Sequence, residues 1–228
     1  MSLAIKRMFD KIAPNYDIGN TVLSFGIHHL WRKKTVKIAG LMPNSKILDC
    51  ATGTGDLYVS FQLYYKDSKV IGIDFSRDMM DVARGKLDKI KIQQSLIQGD
   101  IMRLPFNDNS FDAVTISFGI RNVDNVVLAL REMARVLKPN GKIIVLEFGQ
   151  PIGIIEILYN IYCDYCIAPI GKLILDKGSY NYLLKSTRAF PCREKFIKLM
   201  DEANSFVNCK YKSFSYGIAY LYTGNVKK

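Results

Sequence analysis

Short apolar runs and amphipathic segments alternate between residues 46 and 148, and this alternation predicts strands separated by helices. The apolar runs predict strands at 46–50, 69–74, 93–98, 113–118 and 142–148. Apolar residues at helical spacing between them predict helices at 57–65, 77–89 and 125–137, with Ser76 as the cap of the second. Strands that alternate with helices indicate an α/β fold with a mostly parallel sheet and helices on both faces.

The two flanks of this region lack the alternation. We predict a basic helical segment within 4–16, in which Pro14 stops the helix, and a second helix over 28–39. Residues 154–174 are rich in Ile, Leu and Tyr without strand periodicity, which favours helices that cover the sheet as a cap. The remaining predictions are a helix over 192–204 and a hairpin of strands 206–211 and 215–223.

The length and composition indicate one domain. A chain of 228 residues, of which 49% are hydrophobic, can bury a sizeable core. We expect a single domain over residues 1–228, with an N-terminal lid segment at 4–39 and a helical cap insertion at about 151–190. The five cysteines are an odd number, which favours free thiols, and Cys163 and Cys166 are interpreted as packing residues.

The chain has a net charge of +11, and its basic residues are scattered rather than gathered in one run. Such a charge is typical of proteins that bind nucleic acid, an anionic membrane surface or acidic ligands, and it also arises in lysine-rich genomes. The most apolar stretch, 152–175, contains Glu156, Asp164, Pro169 and Lys172, which argues against a membrane-spanning helix. With no signal-peptide pattern, we expect a cytoplasmic protein.

A Gly-rich turn follows the first predicted strand, in the segment Ile47–Asp56. This layout, with Asp74 closing the next strand, is typical of a nucleotide-type site in which an acid holds the ribose hydroxyls. A dinucleotide loop would need glycine at positions 51, 53 and 56, but the chain has Ala51 and Asp56. Asp49 and Asp56 suit a ligand with a cationic end, such as S-adenosylmethionine, although Asp56 is also a plausible helix cap.

Polar residues stand at the ends of four predicted strands. They are Asp49, Asp74, Asp100 and Ser117. Ligands of open α/β sheets bind beyond the carboxyl ends of the strands, so the four together predict a ligand site. Each one alone has an ordinary alternative as a cap, a turn residue or a satisfied core hydroxyl.

Three segments of the chain carry a resemblance to a known family. They are 16–31 (YDIGNTVLSFGIHHLW), 116–123 (ISFGIRNV) and 135–141 (RVLKPNG), the last continued by 146–149 (LEFG). Over nearly its whole length the chain resembles the ubiquinone/menaquinone biosynthesis C-methyltransferases. It departs from that family's usual Met, Gly and Ser at Gly19, Asn140 and Gly149. The resemblance implies a Rossmann-like class I methyltransferase fold with a mostly parallel seven-stranded sheet and a helical cap.

The resemblance also implies a cofactor, S-adenosylmethionine, which leaves as S-adenosylhomocysteine. Asp74 would accept the ribose hydroxyls, Asp100 would take the adenine amino group beside Ile101, and Ser117 would line the floor near the methyl group. Thr54 and the neighbouring backbone would hold the methionine end. The full set of expected cofactor residues is Asp49, Gly53, Thr54, Gly55, Asp74, Asp100, Ile101 and Ser117.

The implied reaction is C-methylation of a polyprenylated quinol ring, either demethylmenaquinol or 2-methoxy-6-polyprenyl-1,4-benzoquinol. A ring carbon becomes nucleophilic when a neighbouring phenol loses its proton, so the site needs a base or a cation. Arg121 is the first candidate to stabilise the phenolate, with an ion pair to Asp112 or Asp124 as the alternative.

His28 is a candidate base or a packing residue beside Trp31, and Tyr16 with Asp17 would close over the cofactor. We expect no metal.

A long prenyl tail has to be taken from a membrane, so the apolar segment 154–174 is a candidate tail groove, with a core-forming cap or a dimer contact as the alternative. We expect transient attachment to the anionic inner face of the membrane, and a homodimer or a quinone-biosynthesis complex as further assemblies.

A nucleic-acid methyltransferase is the alternative function. The segment Ser117–Asn122 has no Asn-Pro-Pro-Tyr type motif, however, and we expect no nucleic-acid partner. A second alternative is a non-catalytic quinone- or lipid-binding protein on the same fold.

Overall fold

The computed structural model describes residues 3–163, 165, 168–169 and 177–227. A seven-stranded sheet runs through the molecule in the order β3-β2-β1-β4-β5-β7-β6. Its strands are β1 (Lys46–Cys50), β2 (Lys69–Asp74), β3 (Leu96–Gln98), β4 (Phe111–Ser117), β5 (Leu137–Phe148), β6 (Phe206–Phe214) and β7 (Ala219–Val226). The first five pair in parallel, and β7 joins β5 and β6 in antiparallel fashion. The sheet confirms the predicted fold class.

Helices precede, separate and follow the parallel strands. They are α1 (Leu3–Ile12), α2 (Tyr16–Ser24), α3 (Ile27–Ala39), α4 (Asp56–Tyr64), α5 (Arg77–Lys89), α6 (Val126–Val136), α7 (Ile154–Tyr162), α8 (Lys177–Ala189) and α9 (Glu194–Glu202). None of the helices described is both long and apolar enough to cross a bilayer. Part of the predicted cap, including Cys166, lies outside the described residues.

The central strands are buried on both faces, as their continuous apolar runs predict. Along β5, Ile143 and Val145 pack on one face with residues of α6 and α9. Ile144 and Leu146 face the other way, into a cluster that contains residues of α3 and α4. The side chains that alternate along one strand thus pack against helices on both faces of the sheet. Because β1, β2 and β4 run parallel, their carboxyl ends lie at the same edge of this sheet.

Several predicted boundaries were wrong. The first helix ends at Ile12, and a 3₁₀ turn with Pro14 separates it from α2, a helix that the pattern did not predict. Gly19 and Asn20 weaken the helical signal of α2, but Gly19 is buried by packing. In the C-terminal hairpin the second strand begins at Ala219, because residues 215–217 form a 3₁₀ turn.

Two departures from the family's usual residues have a local explanation. Asn140 has a φ of +63°, the left-handed region in which Asn and Gly are the residues most easily accommodated. A Cβ atom on Gly149 would come within 2.3 Å of the Tyr220 ring, so the chain's own packing requires glycine there. Among the described cysteines, Cys50, Cys192 and Cys209 are free thiols.

Candidate active site

A cavity lies at the carboxyl edge of the parallel strands, and we call it the strand-end cavity. It is lined by five of the predicted cofactor residues, Gly53, Asp74, Asp100, Ile101 and Ser117, and by Tyr16. Gly53 and Asp100 follow β1 and β3, and Asp74 and Ser117 are the last residues of β2 and β4; these four strands are neighbours in the sheet. The sheet order therefore brings together groups from residue 53 to residue 117, as the strand-end rule predicts.

The turn after β1 approaches the cavity with unusual backbone angles. Gly53 and Gly55 have φ values of +55° and +81°, and Ala51 has +48°. A Cβ atom on Gly55 would lie 3.2 Å from Ala83 Cβ, so glycine also allows this turn to pack closely on α5. The turn thereby presents the backbone of Gly53 to the cavity and starts α4 immediately afterwards.

Asp74 is the most tightly held polar group of the strand-end cavity. Its Oδ2 accepts a hydrogen bond from Gly53 N at 2.8 Å, and its Oδ1 accepts one from Ser76 N at 2.8 Å. Burial raises the pKa of Asp74 to about 6 despite these bonds. Each carboxylate oxygen has a second lone pair, so the residue can still accept hydrogen bonds from vicinal hydroxyls, as a ribose requires.

Asp100 and Ile101 lie at the neighbouring strand end. Asp100 Oδ1 accepts a hydrogen bond from Met102 N at 2.9 Å, which orients the carboxylate in a turn. Ile101 is buried and provides an apolar surface beside it. A carboxylate next to an apolar surface can accept from an amino group while the ring packs on the isoleucine, which matches an adenine.

Asp49 and Thr54 are not among the residues that line this cavity. Asp49 accepts hydrogen bonds from the Oγ1 atoms of Thr52 at 2.7 Å and Thr115 at 2.9 Å, and burial raises its pKa to about 6. Thr54 Oγ1 donates to Asp17 Oδ1 at 2.6 Å, so it ties the turn to α2. Gly55 starts α4 at the end of the same turn. In the structure these residues shape and support the wall.

Asp56 does not meet a ligand in the way that the sequence suggested. Its Oδ2 lies 3.0 Å from Arg32 Nη1, and its Oδ1 accepts a hydrogen bond from Lys86. Burial opposes ionisation, but these two cations hold the pKa of Asp56 below its usual value. Its charge is neutralised within the protein, so the argument from Asp56 to a cationic ligand was wrong.

The N-terminal helices pack over the strand-end cavity. Asp17 Oδ2 forms an ion pair with Lys86 on α5 at 2.8 Å. On α1, Asp10 Oδ1 accepts a hydrogen bond from Ser76 Oγ at 2.5 Å, directly after the Asp74 strand end. Phe9 and Tyr16, whose rings are 6.2 Å apart, line the cavity itself. The predicted lid segment is thus in contact with two of the loops that form the cavity.

A second cavity of about 560 Å³ lies among the helices, and we call it the helical cavity. Aromatic and aliphatic side chains of α1, α2, α3, α7 and α8 provide most of its wall. Phe9, Tyr16 and Phe118 line both cavities, so the two meet at these three rings. A ligand in the strand-end cavity and an apolar ligand in the helical cavity would therefore approach one another at this aromatic junction.

Arg121 lies on the wall of the helical cavity, but its charge is already paired. Its Nη1 donates to Glu147 Oε1 at 2.7 Å, and its backbone N donates to Glu147 Oε2 at 3.3 Å. Both side chains are buried, with 4% and 0% exposure. The partner of Arg121 is thus Glu147, near the end of β5. Asp112 pairs with Lys138 instead, so the alternative of an ion pair between Arg121 and Asp112 was wrong.

His28 also lines the helical cavity and is buried. Burial and the neighbouring Arg32 charge lower the pKa of His28 to about 4. The imidazole is therefore neutral at physiological pH and a weaker base than an exposed histidine. His28, His29 and Asp56 have ligand atoms within 4.8 Å of one another, but the Arg32 and Lys86 charges on Asp56 oppose a cation there.

Comparison with known proteins decides between the open alternatives. The model of the ubiE/COQ5 methyltransferase family matches residues 2–226. The chain belongs to this family. It is 48% identical to the ubiquinone/menaquinone biosynthesis C-methyltransferase UbiE of Bdellovibrio bacteriovorus, over 98% of this chain and 96% of that one. It is 38% identical to demethylmenaquinone methyltransferase of Staphylococcus aureus, over 98% and 93% of the two chains.

Solved structures agree on the fold. A methyltransferase of Thermotoga maritima, described as S-adenosylmethionine-dependent and as a possible histamine N-methyltransferase, superimposes with a TM-score of 0.67 at 22% identity. The match covers 97% of this chain and 99% of that one. The protein is thus an S-adenosylmethionine-dependent C-methyltransferase of quinone biosynthesis, and the comparisons do not favour a nucleic-acid methyltransferase or a non-catalytic binding protein.

Sequence reasoning missed several residues of this ubiE/COQ5 methyltransferase. Glu147 lies within the LEFG segment, but its burial beside Arg121 depends on the packing of β4 against β5. Tyr182 of α8 donates to Asn122 Oδ1 at 2.9 Å, which connects the walls of the two cavities. Phe9 and Phe118 carried no polar signal that would distinguish them from core residues.

Proposed function

We propose that this enzyme methylates a ring carbon of a polyprenylated quinol that binds in the helical cavity. The observation that supports this most directly is the mainly apolar cavity of about 560 Å³ that meets the strand-end cavity at Phe9, Tyr16 and Phe118. A hydrophobic ring with a prenyl tail suits such a wall. One relative is named for ubiquinone and menaquinone biosynthesis and another for demethylmenaquinone. We therefore propose demethylmenaquinol, 2-methoxy-6-polyprenyl-1,4-benzoquinol, or both, as the substrate.

The strand-end cavity would hold S-adenosylmethionine, which supplies the methyl group. We assign the ribose hydroxyls to Asp74, the adenine amino group to Asp100, and the adenine ring to the surface of Ile101. Ser117, the last residue of β4, would line the floor, and the Gly53 backbone would approach the cofactor. Asp49, Thr54 and Gly55 would act by holding the turn that carries Gly53, as their contacts support.

On the substrate side we propose roles for Arg121, His28 and Tyr16. Arg121 would polarise the quinol, with Glu147 holding its guanidinium against the Phe148 ring at 5.2 Å. Tyr16 would separate the ring from bulk water as part of a lid formed by residues 4–39. His28 would contact the quinol as a neutral side chain. The helices that cover the sheet, over about 151–190, would complete the single domain as a cap.

The test is a methyl-transfer assay with two substrates side by side, a short-tail demethylmenaquinol and a short-tail methoxy-benzoquinol. We expect transfer of labelled methyl to a ring carbon of at least one of them, located by mass spectrometry of the product. Transfer to one alone identifies the substrate ring. Tight S-adenosylmethionine binding without transfer to either quinol would contradict the proposed function.

We further propose that the enzyme attaches reversibly to the inner face of an anionic membrane to collect its substrate. Large apolar side chains are exposed on α7 and on the α2–α3 turn, among them Ile154, Ile157 and Phe25. Phe25 lies 5.9 Å from Tyr162 between ring centres, and both residues line the helical cavity. This apolar surface therefore adjoins the proposed quinol site, and the net charge of +11 favours an anionic surface.

A further inference from the structure

Two buried polar side chains on α3 line the helical cavity with atoms that lack hydrogen-bond partners. His28 and Arg32 stand four residues apart, so they lie on the same face of the helix, one turn from each other. Within the described part of the chain, His28 Nε2 and Arg32 Nε have no hydrogen-bond partner. Buried polar groups are almost always hydrogen-bonded, so an unpaired acceptor and an unpaired donor on two side chains that line one cavity point to a ligand.

The hydrogen bonds around His28 determine which ring nitrogen carries the proton. Ser24 Oγ donates its single hydrogen to Asn20 O at 2.6 Å. The contact of 2.6 Å between Ser24 Oγ and His28 Nδ1 therefore requires Nδ1–H to be the donor. In a neutral imidazole the other nitrogen, Nε2, then carries a lone pair and accepts. His28, which lines the cavity, thus carries an acceptor atom that its own neighbours do not use.

Arg32 offers the complementary donor. Its guanidinium has only donors, and its Nη1 lies 3.0 Å from Asp56 Oδ2 without the direction of a hydrogen bond. The guanidinium carbon is 5.4 Å from the centre of the Phe118 ring. Because Phe118 lines both cavities, the Arg32 donor group lies near their junction. The ion pair with Asp56 holds the side chain in this position.

We propose that His28 and Arg32 together bind one ring hydroxyl of the quinol, with His28 Nε2 accepting its hydrogen and Arg32 donating to its oxygen. This inference rests on the proposed function and specifies it. A hydroxyl both donates and accepts a hydrogen bond, and it therefore matches an acceptor on His28 and a donor on Arg32. A ring with hydrogen in place of the hydroxyl would leave both side chains unpaired. The pair orients the ring, and we assign no proton transfer to it. Ser24 is then a positioning residue that fixes the His28 tautomer.

The test measures binding with two probes in the presence of S-adenosylhomocysteine, without oxygen. One probe is a 1,4-naphthoquinol with a single prenyl unit at carbon 2, and the other is 2-prenylnaphthalene, which lacks both hydroxyls. We expect the wild type to bind the quinol at least about tenfold more tightly, since a site with buried polar groups rejects a ligand that cannot pair them. His28→Leu and Arg32→Met should each reduce this ratio about tenfold by weakening quinol binding alone.

Matched controls come from the same helix. Lys33→Met removes a cation from an exposed position and should leave the ratio unchanged. His28→Gln retains an acceptor and should keep more of the ratio than His28→Leu. If Arg32→Met fails to bind S-adenosylhomocysteine, Arg32→Lys replaces it in the test. The lysine retains the charge but loses the planar donor group, so this variant should still reduce the ratio.

The outcomes separate this inference from the proposed function. An unchanged ratio in both the His28 and Arg32 variants, or equal binding of the two probes by the wild type, would overturn the inference even if methyl transfer to quinols is observed. A ratio that depends on His28 and Arg32 in an enzyme that methylates no quinol would support the binding site and overturn the proposed reaction.

Discussion

The two cavities are built from different parts of the fold. The strand-end cavity takes its polar groups from loops that directly follow strands, and its main carboxylate, Asp74, is held by backbone N–H groups. The helical cavity takes its wall from side chains of separate helices. Its charged residues are held by other side chains, in the pairs Arg121–Glu147 and Arg32–Asp56.

The two cavities should therefore respond differently to substitution. Asp74 is held by backbone N–H groups rather than by a cation, so its replacement leaves no uncompensated charge, and its loss should appear mainly in ligand affinity. A buried ion pair is coupled to stability, because removal of one partner leaves an uncompensated charge in the interior. The predictions below test this contrast.

The largest effect is expected at Arg121. Arg121→Met leaves the fully buried Glu147 without its cation, and we expect a loss of ~3–5 kcal/mol in the free energy of unfolding, together with a lower turnover number. The double variant Arg121→Met/Glu147→Leu removes both charges and should regain most of the stability but not the turnover. Denaturant unfolding of both variants measures the free energy of unfolding, and the methyl-transfer assay measures the turnover number. Normal turnover in the double variant would remove Arg121 from the reaction.

The next effect concerns cofactor affinity. Asp74→Ala removes the carboxylate proposed to accept the ribose hydroxyls, and S-adenosylmethionine binding should weaken by ~1.5–3 kcal/mol. Calorimetry gives this value directly. Asp78→Ala, which removes an exposed acid at the start of α5, is the control for the charge change and should bind normally. Equal affinity in wild type and Asp74→Ala would exclude Asp74 from the cofactor site.

The dependence on pH should differ between the two cavities. The pKa of Asp74 is raised to about 6, above that of the unfolded chain, so its contribution to stability is present at low pH and is lost as the pH rises from about 4 through about 6. Cofactor affinity should change the other way, and fall as the pH drops below about 6, because the ionised carboxylate is the better acceptor. His28, with a pKa of about 4, stays neutral throughout the range from pH 6 to 8.

The measurement is calorimetric titration with S-adenosylmethionine between pH 5 and 8, on the wild type and on Asp74→Asn. The variant should show a weaker affinity with a flatter pH profile. Quinol affinity should vary little over pH 6–8 in either protein. A wild-type cofactor affinity that stays constant from pH 5 to 8 would contradict the assignment of ionised Asp74 to the ribose.

The smallest effect is expected at the proposed membrane surface. Co-sedimentation with anionic vesicles should occur at low salt and decrease as salt rises, since the attraction of charges is screened. Ile154→Ser/Ile157→Ser, on exposed positions of α7, should weaken binding roughly tenfold by removing apolar burial. Leu63→Ser, an exposed apolar position on α4, is the control and should bind normally. Equal binding to neutral and anionic vesicles would rule out the electrostatic part.

Much of the lining of the strand-end cavity was predictable from the sequence. Asp74, Asp100 and Ser117 each follow an apolar run, and the strand-end rule places such residues together without knowledge of side-chain packing. The same rule could not distinguish Asp49, which supports the turn, from Asp74, which lines the cavity. Both are acids that end or nearly end a strand, and only the direction of each side chain separates them.

The helical cavity was less predictable, because helical periodicity shows that a face is apolar but not what it packs against. The α2 helix was missed, and with it the Ser24–His28 hydrogen bond. The pairing of Arg121 with Glu147 joins the 3₁₀ turn after β4 to β5, and no local pattern indicates which acid a buried arginine meets. Asp56 gave a misleading signal for the same reason, since its cations come from α3 and α5.

The alternation of strands and helices over residues 46–148, the Gly-rich turn and the polar strand ends follow from the sequence, because each depends on residues that are neighbours along the chain. The connection of the two cavities at Phe9, Tyr16 and Phe118 was decided only by the tertiary structure. So were the compensated charges of Arg121 and Asp56 and the unpaired His28 and Arg32 atoms. Burial, pairing and pKa depend on which distant side chains meet, and that is settled only when the helices pack on the sheet.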